Sequence, residues 1–285
     1  MQVPAAFQYR KATSVEHALM LLAEYGPESM VVAGGHSLLP MMKLRLAHPE
    51  ALVDINDLAE LAGVRVEGGE LVVGAMTRHA DLLASAEAGR HFPILHDAER
   101  VIADPIVRNR GTVGGSLCQA DPSEDLSAVF AALRAMVVIH GPSGARTVAA
   151  RDFFVSPYET VVASGELLAE IRVPLRPSVS AYVKVDRRAG DWAVGAAGAV
   201  LSTADGVVTE AGIGLTALGA PRFVAEEAED FLTGGPPTEE RFVEAGRIAA
   251  RHCRPVADQR GPVDYKRHLA GELVTRALRR AMGPV

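Results

Sequence analysis

The sequence predicts an α+β protein of two domains, and three observations carry that prediction. The chain has 285 residues, 48% of them apolar, which is material for more than one core at the usual ~100–200 residues per domain. Pro174-Leu-Arg-Pro-Ser178 interrupts the pattern as a linker would. Beyond it the residues read as three long strands followed by three helices, an order that favours α+β over an alternating parallel sheet.

Each element follows from local signals. Ser14 caps a helix to about Tyr25, with Val15, Ala18, Leu19, Leu22 and Ala23 on one face. Met30–Ala33 is a short buried strand running into Gly34–Gly35, and Ala51–Ile55 is a second. Alternation on both sides of Gly68–Gly69 marks a hairpin. Thr77 stands where it would cap a helix over Arg78–Leu83, and Pro93–Val101 is another helix. From Asp104 to Glu124 there are two Pro, three Gly and little periodicity, which reads as a long functional loop. Asp125–Arg134 resumes helix, Ala135–His140 and Arg146–Ala149 flank a Gly-Pro-Ser-Gly turn, and Leu167–Val173 is a strand ending at Pro174. The second domain has strands Ala181–Arg187, Trp192–Ser202 and Val207–Thr216, the last two joined by Ala-Asp-Gly. Helices follow at about Arg222–Leu232, Thr238–Arg251 and Pro262–Met282, the last with the apolar stripe Leu269, Leu273, Val274, Ala277 and Leu278.

Composition and motif spacing remove several function classes. A net charge of −6 gives no basic footprint for nucleic acid. No apolar run approaches the ~18–20 residues of a membrane span, and the first fourteen residues lack a secretory signal's apolar core. Cytoplasm is the expected compartment, with or without peripheral attachment to the inner membrane face through a complex. Cys118 and Cys253 make neither a disulfide framework nor a cluster site. Cys118 is expected to be buried rather than reactive. No lysine follows a glycine as a Walker A loop requires, and HExxH and GxSxG are absent. Gly212–Gly214–Gly219 has the wrong third spacing for a dinucleotide fingerprint. His79, His91, His96, His140, His252 and His268 show no metal spacing.

Two glycine-rich segments remain. Ala33-Gly34-Gly35-His36-Ser37 leaves a strand, and Arg108-Asn-Arg-Gly-Thr112-Val-Gly114-Gly115-Ser116 lies in the aperiodic stretch. Paired glycines permit positive φ and lack Cβ, so consecutive N–H groups can converge on an anion, with hydroxyls from Ser37, Thr112 and Ser116 beside them. Together, and followed by Ala-Asp-Pro-Ser-Glu-Asp125, they suit a pyrophosphate held without a helix-borne lysine.

In VVAGGHSLLPMMKLRL, IADPIVRNRGTVGGSLCQADPSEDL, ELLAEIRVP and AYVKVDRRAGDWAV the chain resembles the flavin-binding medium subunits of molybdenum hydroxylases, the group of the carbon monoxide dehydrogenase medium subunit and the xanthine dehydrogenase FAD domain. The resemblance implies a two-lobed FAD-binding domain of the vanillyl-alcohol-oxidase-like type over 1–175 (lobes about 1–56 and 57–175). A small domain over 179–285, a three-stranded antiparallel sheet plus helices, would follow. It implies noncovalent FAD against Ala33, Gly34, Gly35, His36, Ser37, Thr112, Gly114, Gly115 and Ser116, the last standing where the family often has Asn. His36 would contribute backbone more than imidazole.

Further contacts implied by the resemblance carry alternatives. Asp125 would accept hydrogen bonds from ribityl or ribose hydroxyls, or cap the helix that follows. Leu168, or its neighbour Leu167, would lie beside the isoalloxazine ring. Lys184 would stand near the flavin, or be a solvated strand lysine. Trp192, the one tryptophan, would shield the ring, or be a core aromatic. No catalytic residue acts on the organic substrate, and no metal is bound by this chain. A molybdopterin-binding large subunit and a [2Fe–2S] small subunit are implied as partners, in a dimer of heterotrimers. The implied function is transfer of electrons from the clusters through FAD to an external acceptor. The alternative is a stand-alone FAD-dependent oxidoreductase of the same superfamily, for which a second domain of ~110 residues leaves little room for substrate.

Overall fold

The computed structural model describes residues 3–283. Strands Gln8–Lys11, Ala51–Asp54 and Ser29–Val32 form a parallel three-stranded sheet in that spatial order. Helix Val15–Tyr25 packs on it, starting where the Ser14 hydroxyl accepts a hydrogen bond from the His17 N–H. Val15, Ala18, Leu21 and Leu22 bury the helix against Val53 and Ile55. Parallel pairing of strands this short needs the helix as crossover.

A five-stranded antiparallel sheet follows, in the order Val64–Glu67, Glu70–Gly74, Leu167–Pro174, Met136–Gly141, Gly144–Ala149. Both turn glycines of its first hairpin, Gly68 and Gly69, have positive φ, as that turn requires. Strand Leu167–Pro174 joins the two lobes: Leu167 enters the core of the parallel sheet and Leu168 the core of the antiparallel one. Over this sheet lie helices His79–Ala84, Ala86–His91, Pro93–Val101, Val113–Gln119 and Leu126–Ala132.

The last part of the chain is an antiparallel sheet of Val179–Val185, Gly195–Ala204 and Val207–Thr216, backed by Glu226–Leu232, Glu239–His252 and Val263–Met282. Leu269, Leu273, Val274, Ala277 and Leu278 are all buried against it. Its other face receives helix Leu126–Ala132, every residue of which is buried. Here Gly212 and Gly214 have a structural task. A Cβ on either would come within 2.0 Å of the Ala132 or Ala128 carbonyl oxygen. The glycines let an Ala-rich helix lie directly on strand backbone.

Several local readings are corrected. The stretch 104–124 is not one loop. It contains helix Pro105–Arg108, started by Asp104, and helix Val113–Gln119, started by Thr112. Both are too short to show periodicity. Thr77 does not cap the next helix; its hydroxyl pairs instead with the backbone of Gly63. Trp192 precedes its strand, which begins at Gly195. Helix Ala86–His91 and the small hairpin Phe154–Ser156/Glu159–Thr160 had no clear sequence signal. No helix among the described residues is long and apolar enough to cross a membrane.

Candidate functional site

One cavity of about 930 Å3 runs between the two lobes and the edge of the last domain, at the upper end of the ~300–1,000 Å3 of ligand pockets. Ala33 to Ser37, Thr112, Gly114, Gly115, Ser116, Asp125, Leu168, Lys184 and Trp192 all border it.

The first glycine segment is an open turn. Gly35 has φ +81°, which glycine adopts without strain. The backbone N–H groups of Gly34, Gly35, His36 and Ser37 donate to no acceptor among the described residues. Four successive free donors at a cavity wall can converge on an anion. Gly34 also meets the other lobe, where an added Cβ would stand 2.3 Å from the Arg110 carbonyl oxygen. Asn56 and Arg78 fix this junction. Asn56 donates to the Ala33 carbonyl at 2.7 Å, Arg78 donates to Asn56 Oδ1 at 2.8 Å, and the same guanidinium donates to the Arg110 carbonyl.

The second segment works differently from its sequence reading. It is the first turn of helix Val113–Gln119, and its N–H groups are already used. Val113 donates to Thr77 O, Gly114 to Ala75 O, Gly115 to the Thr112 hydroxyl and Ser116 to Thr112 O. The glycines here supply proximity rather than donors. A Cβ on Gly114 would lie 2.6 Å from that of Ala75. What this segment turns to the cavity is a smooth wall and the Ser116 side chain.

A buried polar cluster closes the far side. Asp125 Oδ1 accepts from Tyr182 at 2.7 Å and Oδ2 from Lys184 Nζ at 2.9 Å. Lys184 also donates to the Val101 carbonyl, so it is a buried ion-pair member and not a solvated lysine. Asp125 makes no side-chain cap; its neighbour Glu124 does, accepting from the N–H groups of Leu126 and Ser127. Burial raises the Asp125 pKa, and Lys184 and the Tyr182 hydroxyl act against that rise. Burial and the adjacent Asp125 push Glu124 up to about 8.

Trp192 is 45% exposed at the cavity margin, which rules out a core role. Its loop is seated by Gly190, at φ +80° with no room for a Cβ beside the Ala103 carbonyl. Cys118 lies exposed on the cavity wall rather than buried.

Sequence reasoning missed Asn56, Arg78, His79, Glu99 and Glu124. His79 is buried, with Nδ1 3.1 Å from both oxygens of the buried Glu99 and Nε2 3.0 Å from the Ser116 hydroxyl. The site partners of Asn56, Arg78, His79 and Glu99 lie 20 to 37 positions away, so no motif announces them, while Glu124 caps locally, two and three residues on. Only the Thr-Arg-His run just after a buried strand hinted at them.

Comparison with known proteins agrees with this architecture. Residues 5–176 match the family described as FAD binding domain in molybdopterin dehydrogenase, and residues 180–281 match CO dehydrogenase flavoprotein C-terminal domain. The carbon monoxide dehydrogenase medium chain of Hydrogenophaga pseudoflava is 41% identical over 98% of each chain. The nicotine 6-hydroxylase medium subunit of Paenarthrobacter nicotinovorans is 34% identical, with 98% of each chain covered. Among solved structures, H. pseudoflava carbon monoxide dehydrogenase lacking the Mo-pyranopterin moiety superposes with a TM-score of 0.94 at 43% identity over 98% of each chain. Quinoline 2-oxidoreductase from Pseudomonas putida 86 gives 0.91 at 33%, again over 98% of each. With both domains matched and relatives alike over the full length, the chain belongs to the FAD-binding medium subunits of molybdenum hydroxylases.

Proposed function

We propose that this chain holds FAD noncovalently in the inter-lobe cavity, with the pyrophosphate on the Gly34–Ser37 nest and the flavin end near Leu168, Lys184 and Trp192. The observation that carries the reading is the row of four unpaired N–H groups facing a cavity in which Lys184 is the only lysine or arginine among the described lining residues. A diphosphate there is held by backbone donors, as in other glycine-rich phosphate sites. Gly114 and Gly115 give the cofactor a wall without side chains, and Ser116 gives it a hydroxyl.

Bound there, FAD would receive electrons one at a time from the [2Fe–2S] clusters of a small subunit and release them in pairs to an external acceptor. This chain's residues do the positioning. Asp125, itself fixed by Tyr182 and Lys184, presents carboxylate lone pairs for sugar or ribityl hydroxyls. Lys184 is electrically offset by Asp125, so its effect on the flavin is that of a dipole more than of a free cation. Trp192 covers the cavity edge and limits water there.

Relatives named for carbon monoxide, nicotine, glyceraldehyde and caffeine all share this chain's extent. A layout common to such different substrates supports substrate choice by the molybdopterin-binding large subunit. The domain division proposed is 1–175 and 179–285. The test is reconstitution: the complex stripped of flavin should regain one FAD per chain, and Gly34→Ala should fail to do so. FAD held as well by Gly34→Ala as by the wild type overturns the placement.

A further inference from the structure

The His79–Glu99 pair is buried beside the cavity, with no other charged side chain among the described residues within hydrogen-bond distance. Both side chains are almost wholly shielded from solvent, and their outlet is the Ser116 hydroxyl at the cavity wall. The hydrogen-bond logic of this chain of groups has two states. With one proton in the pair, that proton lies between Nδ1 and the Glu99 carboxylate, and Nε2 is a bare lone pair. Ser116 must then donate its O–H inward to Nε2 and turn lone pairs to the cavity, which repels an anion. A second proton puts N–H on Nε2, whether Glu99 or Nδ1 holds the other. Nε2 then donates to Ser116 Oγ, and the serine O–H is free to point outward as a donor.

We propose that the His79–Glu99 pair takes up this second proton when the cavity binds its anionic cofactor, and that the proton aims the Ser116 hydroxyl at a phosphate oxygen. The inference rests on the FAD placement proposed above. His79 and Glu99 are positioning residues: Glu99 lies behind His79, and the Nε2 of the buried His79 is 3.0 Å from the Ser116 hydroxyl.

The charges around the pair leave it as the group able to respond. Arg108, from the neighbouring short helix, is turned to the carbonyls of Ile102 and Ala103. Arg78, next in the chain, is turned to Asn56 and Arg110. Asp125 acts on both members, and its charge is matched by Lys184. Glu124 lies beyond Asp125 and caps its own helix. Of the basic side chains among the described lining residues, Lys184 pairs with Asp125 and His79 with Glu99, which leaves His36, whose proton uptake would survive Ser116→Ala.

The test is calorimetric titration of FAD into the flavin-free complex containing this chain, at pH 8 in two buffers of different ionisation enthalpy. Wild type should take up protons on binding, and its Kd should weaken by roughly tenfold per pH unit above the pair's titration. Ser116→Ala keeps the buried pair intact and should lose that uptake and that slope, while still binding FAD more weakly. His79→Gln should lose them too. Uptake equal in wild type and Ser116→Ala overturns the relay, since simple charge attraction by His79 survives that change. Binding by the wild type without excess uptake over His79→Gln overturns the proposal as well. Failure of the wild type to bind FAD at all overturns the cofactor placement, a distinguishable result.

Discussion

Lys184 and Asp125 face each other across two domains with side chains 2% and 5% exposed. A buried pair of this kind contributes little over an apolar substitute, but removing one partner strands the other. Lys184→Met is therefore expected to destabilise the flavin-free chain by about 3–5 kcal/mol, read from urea unfolding midpoints. Glu124 carries a pH signature. Its folded pKa of about 8 lies above the ordinary 4.5, so between those values the folded state holds a proton that the unfolded state has released. Its contribution to stability is full below pH 4.5 and is lost as pH rises towards 8, by up to ~1.4 kcal/mol per pH unit. Glu124→Gln should flatten that fall between pH 5 and 8, and an unchanged slope would show that the proton sits elsewhere. The sequence showed Asp125 as a site residue because it ends a motif. It hid the division of labour with Glu124, because only burial decides which of two adjacent carboxylates caps the helix.

Elements here are shaped by where backbones touch. Helix Leu126–Ala132 rests on strand Val207–Thr216 through Gly212 and Gly214. Gly214→Ala would force a methyl to within 2.0 Å of the Ala128 carbonyl, an overpacking that costs typically 1–3 kcal/mol and would shift Asp125 with the helix. Thermal unfolding should register the loss, and FAD affinity should fall with it. The junction of the two glycine segments is held by Asn56 and Arg78. Arg78→Lys loses the fork that reaches both partners, and the ~1.5–3 kcal/mol of a charged hydrogen bond predicts at least a tenfold weaker FAD Kd in a binding titration. Long elements were legible from their periodicity, as in Val263–Met282. The four- and seven-residue helices within 104–124 were not, since both are shorter than the ~11 residues over which a helical period can be read. The first glycine segment does leave its N–H groups free; in the second, identical residue types serve packing.

At the scale of the molecule, two cores border one cavity, and strand Leu167–Pro174 contributes to both of them. That arrangement explains why the candidate residues are spread from Ala33 to Trp192 and yet share a wall. The open turn at Gly34–Ser37 is the proposed grip on the cofactor. The most direct measurement is the ratio of flavin to iron in the assembled complex carrying Gly34→Asp, compared with wild type. A carboxylate placed against the phosphates and the Arg110 backbone should leave the iron content unchanged and the flavin absent. A complex that keeps its full flavin complement with that substitution would contradict the account.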